Sequence, residues 1–219
     1  MVLVSRLIYG SYFAYTPRPT TYEQQLSKDL MYKIKNEKPY GNPPEFFSEY
    51  FAKVITQEQF PDFFGEDVSL VPVPKNSLMQ EDSLWVPDRI AKALANNGRG
   101  TYFNCLQRIK GLPKAALAKA EDRPKPIDHY KTISYKKSIY QPKKILLIDD
   151  VVTRGATLLG CASVLKEFFP NIPINGFVVM RTISNNEEFK NIVDPLIGEI
   201  ELRNGETHRT GKRKSIHGL

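Results

Sequence analysis

The amino-acid sequence predicts an α/β protein with a doubly wound, mostly parallel sheet. Ile145-Leu-Leu-Ile148 is a run of four apolar residues directly before two acids. A strand buried on both faces, as in a parallel sheet, reads this way. Downstream, a helical pattern from Thr157 to Phe169 precedes a second apolar run, Ile174 to Arg181. Strand, helix, strand in that order is a right-handed βαβ unit. Upstream, Val68-Ser-Leu-Val-Pro-Val-Pro74 and a helix from Pro87 to about Asn96 repeat the alternation. With 219 residues, 41% hydrophobic and 25% charged, the chain suits one α/β domain over 1–219 and can bury a core without staples.

The elements follow in order. From Thr21 to about Lys35, Leu26, Leu30, Met31 and Ile34 recur at helical spacing. After the Asn42-Pro43-Pro44 turn, Phe46, Phe47, Tyr50, Phe51, Val54 and Ile55 form one apolar face of a second helix. Residues 1–60 are therefore expected to be a helical addition to a core spanning 68–182. The β-branched run from Val68 is a strand ended by proline, and 75–86 is an irregular loop. Pro87 takes the first helical position of the next helix, with Ile90, Ala91 and Leu94 inward and Gly98 as its stop. Residues 106–144 carry four prolines and weak periodicity, which suits a strand or two with mobile parts between them. Pro170 closes the helix that begins near Thr157.

Charge and cysteine content narrow the function classes. Cys105 and Cys161 are far apart and belong to no CxxC pair, so a disulfide scaffold and a zinc site are both disfavoured. Each suits a small core residue. No apolar stretch approaches the roughly 20 residues that cross a bilayer. The start, Met1 to Tyr9, lacks the pattern of a secretory signal, so a cytoplasmic protein with no membrane partner is expected. Of the net charge of +7, residues 106–144 contribute +8 (eleven Lys/Arg, three Asp/Glu), and 202–219 contribute +4 (five Lys/Arg, one Glu). The remainder is −5. Such segments suit a polyanionic small molecule or a nucleic acid, although solvated lysines account for many of these charges.

The informative stretch is Ile145-Leu-Leu-Ile-Asp-Asp-Val-Val-Thr-Arg-Gly-Ala-Thr157. It reads as a buried strand, two adjacent acids, a loop with a glycine, and a helix start. Ligands of open α/β sheets bind at the ends of parallel strands. A helix N-terminus with free amides, a close-approach glycine and two threonine hydroxyls makes a phosphate cradle. Adjacent carboxylates suit vicinal hydroxyls or a hydrated magnesium ion. A ribose 5-phosphate satisfies both ends. Neither GxxxxGK[ST] nor GxGxxG occurs in the chain.

These thirteen residues resemble, at every position, the phosphoribosyl-pyrophosphate signature of type I phosphoribosyltransferases. The resemblance implies that Asp149 and Asp150 hold the ribose hydroxyls, and that Thr153, Arg154, Gly155, Ala156 and Thr157 wrap the 5-phosphate. It extends to Leu70-Val-Pro-Val-Pro74 and Lys75, which look like the first core strand and diphosphate loop of the ComF-like branch, implying diphosphate contacts at Lys75 or Asn76. The family also places a flexible hood between the first core helix and the signature strand. Here that is the +8 segment, with Arg108, Lys110, Lys114, Lys119 and Arg123 as candidates to neutralise the leaving diphosphate. His129, beside Tyr130, is a candidate base or stacking contact, although a lone histidine near a basic loop is more often neither.

The resemblance implies transfer of a phosphoribosyl group from 5-phosphoribosyl 1-diphosphate to an unidentified nucleophile, normally nitrogen, with release of diphosphate. Magnesium would enter as the substrate complex, with no direct protein ligand, and a homodimer is compatible with it. Purine-salvage members carry an aspartate base where this chain has Thr153, which disfavours a 6-oxopurine acceptor. Arg154 is shared with the amidophosphoribosyltransferase signature, but with a start of Met1-Val2 no N-terminal cysteine glutaminase is expected. The alternative is a non-catalytic regulator or complex subunit that senses the same ligand and binds nucleic acid through 106–144 and the tail 202–219. The acceptor pocket is expected in residues 1–60 and 183–219, where no motif is visible.

Overall fold

The computed structural model describes residues 3–56, 58–80, 82–113 and 123–212. In chain order the elements are β1 (Arg6–Tyr15), α1 (Tyr22–Lys35), α2 (Phe47–Val54), β2 (Val68–Pro72), α3 (Val86–Asn96), β3 (Thr101–Tyr102) and β4 (Leu106–Arg108). Then follow α4 (Pro126–Thr132), β5 (Ile133–Tyr135), β6 (Lys144–Val152), α5 (Ala156–Phe168), β7 (Ile174–Thr182), β8 (Val193–Arg203) and β9 (Glu206–Lys212). Among the described residues no helix is long and apolar enough to cross a membrane.

Among the described residues seven strands form one sheet, in the order β3-β2-β6-β7-β1-β8-β9. All neighbours from β3 to β1 are parallel, while β8 and β9 add antiparallel at one edge. The expected doubly wound, mostly parallel sheet is therefore present. Its two buried faces follow from the period of two along β6. Leu146 and Ile148 belong to one apolar cluster with Phe47 and Phe51 of α2 and Ile90 and Leu94 of α3. Ile145 and Leu147 belong to another with Leu158, Leu159 and Leu165 of α5. The first cluster is rich in aromatic rings, with Phe177 of β7 touching Phe51, Phe60, Phe63 and Phe64.

Both helices expected in the first sixty residues form, and the Thr21 side chain caps the first by accepting from Gln24 N. A strand precedes them. Arg6–Tyr15 inserts between β7 and β8, and seven consecutive residues from Tyr9 to Tyr15 are buried. The reading of residues 1–60 as helix alone is corrected here: a strand covered on both faces shows no apolar/polar alternation to betray it. The basic region 106–144 contains α4 and the small antiparallel pair β4–β5. A second correction concerns 202–219, read from the sequence as a basic tail. Residues 206–212 are the edge strand β9, joined to β8 by a turn in which Asn204 (φ 51°) and Gly205 (φ 79°) are left-handed. That pair of backbone conformations suits a two-residue hairpin. The rest of the tail, 213–219, lies outside the described residues.

Candidate functional site

Asp149 and Asp150 occupy the C-terminal end of β6, the central parallel strand between β2 and β7. Both are half-buried. The Asp149 Oδ1 accepts the Asp150 amide at 2.9 Å, and the Asp150 Oδ1 accepts the Val151 amide at 2.6 Å. The other Asp150 oxygen pairs with Lys35 Nζ of α1 at 3.3 Å. Burial, and next the charge of Asp150, push the Asp149 carboxyl well above the usual carboxylate range, with Lys35 opposing. Burial works against the Lys35 charge, but Asp150 and then Asp149 outweigh it and hold its pKa up.

The chain leaves β6 through Thr153 and Arg154, both exposed, and reaches Gly155, whose φ of +91° suits glycine. A Cβ there would stand 2.5 Å from Ile200 Cδ1, so the loop rests directly on β8. Ala156 begins α5, and the amides of that first turn have no acceptor within the helix. Asp149, the loop 153–157, Asn76, Arg123, His129, Glu206 and Thr207 line one cleft.

Beneath the cleft lies a buried polar chain. His129 of α4 is 3% exposed, and its Nε2 is 3.4 Å from Thr157 Oγ1. Its Nδ1 is 3.3 Å from Arg108 Nη2. Arg108 is 5% exposed and also donates to the Lys75 carbonyl at 2.9 Å and to Thr132 Oγ1 at 2.6 Å. A guanidinium only donates, so Nδ1 accepts and the imidazole proton resides on Nε2, facing Thr157. Burial and then the Arg108 charge lower the His129 pKa to about 3. His129 is thus neutral with its basic nitrogen occupied, which removes it as a general base.

The β8–β9 hairpin is the outer wall. Glu206 pairs with Lys125 at 2.9 Å and with Arg154 at 3.9 Å, across the mouth of the cleft. Arg209 donates to the carbonyls of Val152 (3.3 Å) and Thr182, the last residues of β6 and β7.

The sequence-predicted residues divide accordingly. Asp149, Thr153, Arg154, Gly155, Ala156, Thr157 and Asn76 come together in the cleft, with Asp150 beside them. Lys75 is half-buried and contributes a carbonyl to Arg108. The Arg108 side chain points inward rather than to a ligand. Lys110 is exposed on a segment tied to the cleft by the Leu112 amide, which donates to the Asn76 carbonyl at 2.8 Å. Arg123 lines the cleft, and its Nε is buried with no hydrogen-bond partner among the described residues. Lys114 and Lys119 lie outside the described residues. Sequence reasoning missed Lys35, Glu206 and Thr207. Cys105 and Cys161 are buried free thiols, the Cys105 thiol pushed up to about 12 by burial. Among the described residues no cluster of three or more His, Cys, Asp or Glu could hold a metal.

No protein-family model matches the chain, and no curated protein matches it. Among solved structures it is similar to a hypoxanthine phosphoribosyltransferase from Staphylococcus aureus in a tetragonal crystal form. The identity is 12% and the TM-score 0.33, over 63% of this chain and 73% of that one. The orthorhombic form of that enzyme gives 11% identity and a TM-score of 0.28, over 73% and 76%. At these values the likeness assigns neither family nor substrate.

Proposed function

We propose that the cleft binds 5-phosphoribosyl 1-diphosphate as its magnesium complex and that the chain transfers the phosphoribosyl group to a nucleophile, releasing diphosphate. The supporting observation is the meeting, at one cleft, of Asp149 at the end of a parallel strand, with Asp150 beside it, a glycine loop and a helix N-terminus. The loop 153–157 would take the 5-phosphate on backbone amides and the Thr153 and Thr157 hydroxyls. Asp149 and Asp150 would accept the two ribose hydroxyls. Two carboxylates fit a magnesium ion that keeps its waters and arrives on the diphosphate, better than one stripped into a protein cage. The diphosphate would then lie toward Asn76, Lys75 and Lys110. Holding both ends of the sugar lowers the barrier through orientation, and the developing positive charge at carbon 1 meets the acid pair.

Calorimetry tests the reading. The wild type should bind 5-phosphoribosyl 1-diphosphate with magnesium. Asp149→Asn combined with Asp150→Asn should weaken binding by several kcal/mol, since hydrogen bonds to charged groups are each worth about 1.5–3 kcal/mol. Equal affinity for both proteins would refute it. Hypoxanthine and guanine should release no diphosphate, because Thr153 has no basic group to take the purine proton. Robust release with either base would overturn that restriction.

A further inference from the structure

Two loops of the cleft are joined underneath by two nearly buried side chains, Arg108 and His129. Arg108 reaches from β4 to the Lys75 carbonyl on one side and to His129 on the other, and His129 reaches Thr157. Among the described residues Arg108 makes no ion pair, so this nearly buried cation beneath the cleft is held there by a carbonyl, a hydroxyl and an imidazole nitrogen. Gly160 of α5 makes the approach feasible: a Cβ there would be 2.5 Å from the His129 Cβ and 3.0 Å from the Pro126 carbonyl. The arrangement has a chemical consequence at Thr157. A hydroxyl has one proton and two lone pairs. Facing an imidazole with a bare Nε2, Thr157 would donate its proton inward. Facing Nε2–H, it accepts and keeps its proton for another oxygen.

We propose that Arg108 and His129 are positioning residues for the cleft: Arg108 holds His129 in the Nε2–H tautomer, and His129 thereby directs the Thr157 hydroxyl proton toward a phosphate oxygen of the ligand. The inference rests on the phosphate reading of the cleft given above. It assigns His129 no proton transfer and Arg108 no ligand contact. The same guanidinium fixes the Lys75 carbonyl, so it holds the loop proposed for the diphosphate and the loop proposed for the 5-phosphate in one register.

Nitrogen-15 NMR of the wild type should show His129 protonated on Nε2 alone from pH 5 to 8. A protonated Nδ1 in that range overturns the proposal, whatever the variants do. Ribose 5-phosphate is the binding probe. His129→Phe should weaken its binding about tenfold, as expected for loss of one hydrogen bond to a charged group. In a Thr157→Val background the same change should have no further effect. His129→Gln, whose side-chain amide donates to Thr157, should recover most of the affinity. An equal loss from His129→Phe in both backgrounds would show a merely structural role and overturn the assignment. Should His129→Phe fail to fold, the wild-type tautomer and the Gln variant decide. Binding of ribose 5-phosphate by the wild type with no coupling defeats this proposal alone, whereas no binding by the wild type defeats the phosphate reading and the proposal with it.

Discussion

Asp149 carries its carboxyl at a cost to the fold. Its pKa is raised in the folded chain by burial and by Asp150. Below the ordinary carboxylate value near 4, folded and unfolded chains both hold the proton, and its ionisation makes no difference to stability. As pH rises past that value the unfolded chain releases the proton first, so stability falls until the folded value is passed. Asp149→Asn is therefore expected to melt above the wild type at neutral pH, with the gap closing toward about pH 4. In a chain of this length each kcal/mol would appear as about 2–4 °C. Thermal melts across pH check this, and a variant less stable than wild type at neutral pH would contradict it. The substitution proposed to weaken ligand binding should thus strengthen the fold, as when a site is maintained against the stability optimum. The acids and the loop were legible in the sequence because they are contiguous: one strand end, one turn and one helix start. Lys35, Glu206 and Thr207 were not, because they arrive from α1 and β9, far away in the sequence, and nothing local marks them; His129 was visible as a lone histidine, but its contact with Thr157 was not.

Among the elements, the β8–β9 hairpin changes the reading of the chain most. Its sequence, rich in charge and broken by Pro195 and Gly198, carries no long apolar run, and its basic residues resemble those of a free tail. Its buried positions are few, but Ile200 is fully buried and lies against Gly155. β6, α5 and β7 were legible because apolar runs of strand and helix period alternate there, whereas β1 and β9 required knowledge of their partners. The contact between hairpin and loop is testable. Gly155→Ala must adopt a left-handed φ and also drive a methyl into Ile200. A loss of about 1–3 kcal/mol is expected from backbone strain of this kind. Adding Ile200→Val should not repair it, since the backbone conformation is untouched. Urea denaturation measures both variants, and a wild-type midpoint for Gly155→Ala would show that the loop and hairpin are not in contact.

For the whole molecule, the interior position of β1 in the sheet has a consequence for how the chain is made. Residues 6–15 pair with residues 176–182 on one side and 193–201 on the other. At the usual 5–20 residues per second, the first strand leaves the ribosome about 10–30 s before its partners do. For that interval a run containing Leu7, Ile8, Tyr9, Tyr12, Phe13 and Tyr15 has no sheet to join. Such a segment offers unpaired edges and aromatic surface to any neighbouring nascent chain, and closing so long a loop is slow compared with local pairing. β8 and β9, synthesised after the other described strands of this sheet, also wall the cleft, through Ile200, Glu206 and Arg209. A chain stalled before β8 would hold the five parallel strands but lack this wall of the cleft.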